Sequence, residues 1–159
     1  MVPKSPFGFE APKESPGFLL WQTTITWQRL IKRALDHYDI SHAQFVVMAV
    51  LLWFEEHHQD PTQIAVARLS KLDQMTVSKS LKKLIAQGYI KREESPKDTR
   101  AKWVYLTIKG KELISQLVPV VEGIDAAFFG AVRKGDQQTL IQILGKLMAD
   151  TSDEYADRQ

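Results

Sequence analysis

The side chains best suited to chemistry lie in one segment, residues 73–88, whose pattern predicts a helix. Its apolar residues follow the spacing of one buried face, so polar residues occupy the others. The apolar residues are Val77, Leu81, Leu84 and Ile85. Amide and hydroxyl groups can hydrogen-bond the edges of nucleic-acid bases, and a lysine can reach guanine or phosphate. The side chains placed to do so are Gln74, Thr76, Ser78, Lys79, Lys82 and Lys83. Taken alone, the helix is equally consistent with lysines that are merely solvated.

A second basic element follows in residues 90–106, where apolar and polar residues alternate on either side of a Ser-Pro-Lys-Asp turn. This pattern predicts a two-stranded hairpin. Lys97 and Arg100 lie at its tip, and Lys102 lies just beyond. An arginine on a narrow tip suits insertion into a DNA minor groove, where the negative potential is enhanced. Asp98 could pair with Arg100 and hold it in place.

The positive charge of the chain is concentrated on these two elements. Residues 62–110 carry 11 Lys and Arg against 4 Asp and Glu, whereas the rest of the chain carries 10 against 15. The overall formal charge of +2 hides this segregation. A basic module in a nearly neutral chain favours a polyanion partner, because phosphate contacts supply most non-specific affinity for nucleic acid.

The segment before the basic helix completes a two-helix pattern. Thr62 begins a short helix in which Ile64, Ala65 and Leu69 are expected to face inward. After a tight turn, Asp73 is a good N-cap for the next helix. Two short helices joined in this way form a helix-turn-helix, whose second helix enters the major groove. With the hairpin added, an ordinary charged surface becomes the weaker interpretation.

Helices on both sides must position this module. From Phe18 to Tyr38, apolar residues recur at helical spacing, and the proline-rich residues 1–17 before them are expected to form a flexible tail. Ser41 and Gln44 form a capping-box pattern for a second helix that is apolar on nearly every side. We therefore expect this second helix to be buried.

On the C-terminal side, Thr107 is expected to cap a long helix through Arg133 with a kink near Pro119, and Gly135 to begin a last helix. The first and last helices carry wide apolar faces, which usually mark an interface in a soluble protein. We therefore expect a homodimer built from the two ends of the chain. The predicted organisation is a tail at 1–17, dimerisation helices at 18–40 and 107–151, a DNA-binding domain at 41–106 and a frayed end at 152–159.

The composition argues against several classes of function. The 159 residues include no cysteine, which excludes disulfides, cysteine-based zinc sites and iron–sulfur clusters. No signal peptide is visible, and the longest apolar run, Phe45 to Phe54, is too short to span a membrane. We expect a soluble, cytoplasmic protein without a membrane partner. The four histidines lack a recognised zinc spacing, and no catalytic motif stands out, so we expect no enzyme activity, metal or cofactor.

The run from Ile64 to Leu113 resembles the winged helix-turn-helix of the multiple-antibiotic-resistance regulator (MarR) family. The resemblance lies in L…TVSK…L…L…GYIKR across the basic helix, in D-x-R at the hairpin tip and in LT-x-x-G at the next helix. It implies a mainly α fold with a small β-hairpin wing, a winged helix-turn-helix with N- and C-terminal dimerisation helices. The hairpin is then the wing, and the basic helix is the recognition helix.

The same resemblance implies a dimeric transcription factor on double-stranded DNA, with two recognition helices in successive major grooves of a pseudo-palindromic operator. Thr76, Ser78 and Lys79 match the positions that enter the major groove, and Arg100 matches the minor-groove arginine of the wing. Two departures from the pattern lie in the DNA-binding elements, beside an N-terminal tail longer than the pattern needs and the absence of the cysteine through which some branches of the family sense oxidants. The pair Gln74-Met75 stands where polar or charged residues are common, and the second arginine often found beside Arg100 is absent.

The resemblance also implies a small-molecule effector, often an aromatic acid or another phenolic compound, bound between the dimer helices and the winged domain. The side chains that could line such a site are Trp21, Trp27, His37, Tyr38, His42 and Trp53. The alternative role for these residues, packing in the core and the dimer, is the more common one.

The sequence thus predicts a homodimeric, sequence-specific DNA-binding regulator, more specifically a repressor released by a small ligand. The alternative from another class is a winged-helix module that docks on a protein instead of DNA. Such a module would place apolar residues on the exposed face of the basic helix. Met75 is one, but three lysines surround it.

Overall fold

The computed structural model describes residues 5–156, with side chains for residues 5–149. Within these residues the chain forms a short 3-10 helix at Pro12–Glu14, six α-helices and two strands. These are α1 Pro16–Asp36, α2 His42–Glu56, α3 Gln63–Ser70, α4 Gln74–Ala86, β1 Ile90–Glu94, β2 Lys102–Leu106, α5 Ile108–Phe129 and α6 Lys134–Ala156. The chain divides into two compact units, Met1–Val121 and Glu122–Gln159. The expected mainly α fold with a β-hairpin wing is confirmed.

Helix α1 begins two residues earlier than expected. The Oγ of Ser15 accepts the backbone N–H of Phe18 at 3.2 Å, and Pro16 occupies the first helical turn, where its missing N–H costs nothing. Residues 12–14 form a 3-10 turn, and Pro16 and Gly17 belong to α1. Residues 1–4 of the proposed tail lie outside the described residues, and the flexibility of the tail stays a prediction. Ile31 and Leu35 bury one face of α1.

Helix α2 is the central element of the first unit. Its predicted capping box is confirmed: Ser41 Oγ accepts the Gln44 N–H at 3.1 Å, and Gln44 Oε1 accepts the Ser41 N–H at 2.8 Å. Val47, Met48 and Leu51 are buried against the surrounding elements, which include α3, α4 and β2. The apolar segment is therefore a core helix, as expected.

The inward face of α3 differs from the expectation. Val66 and Ala67 are buried, whereas Ile64 is 58% and Leu69 is 52% exposed, so the predicted inward face is wrong for these two residues. Five of the eight residues of α3 are apolar, so the sequence is compatible with burial of more than one face of this helix. Packing against α2 and α4 determines which face is buried. In α4 likewise, Ile85 is exposed and Ser80 takes a buried place.

Helix α4 has well-defined ends. Asp73 is its N-cap, as predicted, and the turn from α3 contains Lys71 in the left-handed region with φ 60°. At the other end Gly88, with φ 80°, donates its N–H to Ile85 O at 3.0 Å, while Tyr89 donates to Leu84 O at 2.9 Å. This pair of bonds is a Schellman motif, for which a glycine at positive φ is best suited.

Strands β1 and β2 pair antiparallel, with Ile90 opposite Leu106 and Glu94 opposite Lys102. The other edge of β2 is also bonded. The Val104 N–H donates to Pro61 O at 2.8 Å, and Thr62 forms an isolated bridge with Trp103. The wing is therefore joined through its backbone to the segment that leads into α3, a link that the sequence pattern does not predict.

The second unit contains the C-terminal part of α5 and the whole of α6. Helix α5 contains Pro119 and ends at Phe129, four residues before the expected Arg133, because residues 130–133 form turns. Helix α6 continues to Ala156, so residues 152–156 are helical, whereas the sequence predicted a frayed end. Residues 157–159 lie outside the described residues. The expected kink near Pro119 stays a prediction.

Across the described residues, no single helix has both the length and the hydropathy to cross a membrane. Helices α5 and α6 pass that test only as a pair, by length and composition, and they are bent by 109° at the break between them.

The start of α5 explains the LT-x-x-G pattern. Thr107 Oγ1 accepts the Gly110 N–H at 3.0 Å, which confirms the predicted cap, and donates to Gly88 O at 2.7 Å. The Thr107 N–H donates to Tyr89 O at 3.0 Å. A Cβ on Gly110 would lie 2.0 Å from that same Tyr89 oxygen. Only glycine therefore lets α5 approach the exit of α4 this closely.

We expect Gly110→Ala to lower the free energy of unfolding by about 1–3 kcal/mol, because the clash is with backbone that cannot rotate away. Gly123→Ala is the matched control, since a Cβ there meets nothing within 4 Å in the same helix. That change should raise stability by roughly 0.5–1 kcal/mol. Urea unfolding of both variants tests the contact, and equal effects would contradict it.

Candidate nucleic-acid interface

The first turn of α4 is fixed by one carboxylate. Asp73 Oδ1 accepts the Thr76 N–H at 2.7 Å, and Asp73 Oδ2 accepts the Thr76 hydroxyl at 2.6 Å. These bonds, first the hydroxyl and then the backbone N–H, lower the pKa of Asp73 below its ordinary value of 3.8. The Thr76 proton is thus engaged, and its oxygen remains available to accept a hydrogen bond from a base.

The predicted polar face of α4 is presented to solvent. Val77, Leu81 and Leu84 are buried on one side of the helix. The exposed side chains are Gln74, Ser78, Lys79, Lys82 and Lys83, and Thr76 is half-buried. In the described part of the chain, Lys79 and Lys82 have no carboxylate within 4 Å, whereas Lys83 lies 3.7 Å from Asp39. The first two ammonium groups are therefore available to phosphates or bases.

The wing tip is an ordered turn built on Ser95, which the sequence reasoning missed. Ser95 is buried, and its Oγ accepts the N–H groups of Lys97 at 3.1 Å and Asp98 at 3.3 Å. Asp98 Oδ1 accepts the Arg100 N–H at 3.0 Å and lies 3.5 Å from Arg100 Nε, as expected for a pair. The Arg100 side chain is 93% exposed, so it projects from a turn whose backbone is held.

The other two wing lysines are turned toward the protein. Lys97 Nζ lies 2.8 Å from Asp60 Oδ2 and 5.8 Å from the centre of the Trp103 ring. Lys102 Nζ lies 3.5 Å from Glu94. Exposed pairs of this kind are weak and can be exchanged for a phosphate. Arg100 is thus the most exposed of the three predicted wing cations, and DNA contacts by all three stay predictions.

A polar relay joins the corner between α1 and α2 to the end of α4. Gln44 is buried, and its Nε2 donates to Gln87 Oε1 at 3.1 Å. Gln87 Nε2 in turn donates to the backbone oxygen of Asp39 at 3.2 Å. The sequence pattern predicts only a capping role for Gln44, since nothing in the spacing links positions 44 and 87.

A concavity of about 580 Å³ lies beside this relay, against α1. Its lining includes Ile25, Arg29, Lys32, Asp39, His42 and Lys83. Among the six predicted effector residues, His42 lines it, and the ring of Trp27 contacts His42 edge-on with centroids 5.3 Å apart. The concavity therefore combines cationic groups, one of them a lysine of the candidate recognition helix, with the carboxylates of Asp36 and Asp39.

The remaining predicted effector residues lie elsewhere. Trp53 stacks on His57, with ring centroids 3.6 Å apart. Trp21, His37 and Tyr38 are exposed on α1 and the turn after it. The structure therefore brings together two of the six residues, and the effector role of all six stays a prediction.

Comparison with known proteins places this geometry in a family. The family model of the ArnR1-like, winged-helix domain matches residues 36–123. The HTH-type transcriptional regulator YdcH of Bacillus subtilis (strain 168) is 40% identical over 126 residues, covering 79% of this chain and 86% of that protein. A MarR family transcriptional regulator from Silicibacter pomeroyi matches with a TM-score of 0.79 and 25% identity, covering 95% of this chain and 99% of that one. The chain belongs to the MarR family. It is therefore a winged-helix protein of a family of DNA-binding transcriptional regulators.

Solved structures agree with this fold. Bordetella bronchiseptica BpsR, whose DNA binding is regulated by 6-hydroxynicotinic acid, matches with a TM-score of 0.79 and 24% identity, covering 91% of this chain and 98% of BpsR. A mutant of Escherichia coli MarR in complex with operator DNA matches with a TM-score of 0.73 and 23% identity, covering 82% and 91%. At these identities the likeness concerns the fold alone.

The depressed pKa of Asp73 gives a prediction for stability. Because the folded-state pKa lies below its ordinary value of 3.8, the carboxylate adds stability above that value and loses it as the pH falls through the folded pKa. Asp73→Asn keeps a side chain that can cap the helix, but this side chain does not titrate. Its amide nitrogen also cannot accept the hydrogen bond that the Thr76 hydroxyl donates to Asp73 Oδ2. Wild type should exceed this variant in melting temperature at pH 6, and the difference should shrink in acid. A difference that is independent of pH would contradict the assignment.

Proposed function

We propose that the protein is a homodimeric repressor that binds a pseudo-palindromic operator and leaves it when a small aromatic acid binds. The observation that carries the DNA part is the pairing of two exposed cationic elements on ordered supports. Lys79 and Lys82 project from a capped helix, and Arg100 projects from a hydrogen-bonded turn. The first element suits a major groove and the second a minor groove.

A dimer is supported by apolar surface in each unit. In the first unit Phe18, Leu19, Leu20 and Trp21 are exposed consecutively at the start of α1. In the second unit Ile141, Ile143 and Leu144 are exposed on α6. Large apolar side chains exposed in such numbers favour association with a second copy. Two recognition helices would then read half-sites about 34 Å apart, one helical turn of DNA.

An effector site is supported by the concavity at the α1–α2 corner. Arg29 and Lys83 can attract a carboxylate there, and His42 with the adjoining Trp27 offers rings for an aromatic group. Lys83 belongs to α4, and Asp39 is bonded to Gln87 just beyond the end of α4. A ligand that competes for Lys83 would bias the position of the recognition helix and so lower DNA affinity by its differential binding energy.

The DNA assignment predicts that Lys79→Ala and Arg100→Ala each weaken binding to the protein's own upstream DNA by about tenfold. Each lost phosphate contact should also reduce the slope of log affinity against log salt by about 1. Lys146→Ala on α6 is the control of equal charge and should bind as wild type. Fluorescence anisotropy at several salt concentrations measures all four proteins, with two chains expected per duplex.

Unchanged affinity in both interface variants would overturn the site assignment. A stoichiometry of one chain per duplex would overturn the dimer and leave DNA binding in place. If the wild type binds no duplex above non-specific affinity, the alternative of a protein-docking module becomes the better interpretation.

The effector assignment predicts that an aromatic acid, tested as benzoate and as 6-hydroxynicotinate, binds the apo-protein and weakens its DNA complex. Arg29→Ala should abolish this response and leave DNA affinity without ligand unchanged. Arg33→Ala, on the same helix but outside the concavity lining, is the control. Calorimetry and anisotropy with and without the acid test this. A response that survives Arg29→Ala would place the effector elsewhere.

A further inference from the structure

The recognition helix carries one large apolar side chain on its outer surface. Met75 is the second residue of α4 and is 80% exposed. We propose that Met75 is a specificity-determining residue that contacts the C5 methyl group of a thymine in the major groove. This inference rests on the proposed DNA-binding function and names one feature of the sequence it would select.

The helical position of Met75 is the first argument. At about 100° per residue, Met75 lies roughly opposite the buried stripe of Val77 and Leu81. Lys79 and Lys82 lie on the same outer ridge, four and seven residues farther along. The ridge therefore presents a thioether at its N-terminal end and two ammonium groups behind it. The N-terminal residues of a recognition helix are those that contact base edges.

The chemistry of the major groove is the second argument. The thymine methyl is the distinctive apolar group that a base pair presents there, while the other positions display donors and acceptors. A thioether cannot satisfy those polar groups, and leaving them unpaired in an interface costs free energy. Methionine at this position therefore favours thymine over cytosine. Because Asp73 and Thr76 fix the turn on either side, the Cα–Cβ direction of Met75 is set before DNA binds, and its flexible side chain can adjust to the base.

The charges around Met75 decide between DNA and a protein partner. An apolar anchor for protein docking is usually surrounded by other apolar residues, whereas Lys79 and Lys82 flank this one without carboxylate partners among the described residues. Flanking ammonium groups suit the phosphates that border a groove. DNA is therefore the favoured partner of this surface.

The experiment starts from random duplexes of about three helical turns, from which wild type and Met75→Gln each select a consensus in vitro. Each dT of the wild-type consensus is then replaced by dU, which removes only the methyl group. We expect one dT in each half-site where the change weakens wild-type binding by about fourfold, the value of one buried methyl-sized group. Met75→Gln should be insensitive at that position, and Met75→Leu should stay sensitive because it keeps an apolar contact.

The outcomes separate this inference from the proposed function. If wild type enriches no sequence, the proposed function fails. If wild type selects a consensus but no dU weakens binding, or if Met75→Gln is as sensitive as wild type, the Met75 contact is overturned while DNA binding stands. Melting temperatures equal to wild type are expected for both variants, because the side chain is exposed in the folded protein.

Discussion

The close approach of α5 to the exit of α4 is the constraint on which the DNA-facing surface depends. Thr107 bonds both Gly88 and Tyr89, and Gly110 leaves room for the Tyr89 carbonyl. Lys109 adds a bond to Gln87 O at 3.0 Å, and its ammonium lies over the Tyr89 ring. The recognition helix, the first wing strand and α5 therefore meet at the consecutive residues Gln87, Gly88 and Tyr89. A rotation of one element would therefore strain the hydrogen bonds that it makes to the backbone of the others.

Acidic residues complete the support from outside the basic module. Asp39 holds the last turn of α4 through Lys83 and Gln87, and Asp60 holds the wing through Lys97. These carboxylates partly neutralise Lys83 and Lys97, which stay exposed, while Lys79 and Lys82 have no carboxylate within 4 Å among the described residues. The charge segregation seen in the sequence thus becomes more localised in three dimensions.

Local chemistry could be predicted from the sequence, and competition between packing partners could not. Asp73, Ser41 and Thr107 cap helices through bonds to residues three positions away, so spacing alone identified them. The predicted burial of Ile64, Leu69 and Ile85 was wrong. Apolar residues occur on several faces of α3 and α4, and packing against the neighbouring helices determines which face is buried. The side chains that support the site, Gln87, Ser95 and Asp60, act across distant positions or through buried turns and carry no periodic signal. The family motifs could be recognised because they combine caps and glycines at fixed spacing.

Strand β2 is hydrogen-bonded on both of its sides, which limits how another chain could add a strand to the wing. With residues 61–62 bonded along one side of β2 and β1 along the other, the outer side of β1 is the open backbone edge of the two-stranded sheet. That strand continues after Ile90 with Lys91, Arg92, Glu93 and Glu94, all exposed. A short edge lined with charges of both signs is a poor template for another strand, because docking would desolvate them. The wing can therefore extend into solvent without recruiting further strands.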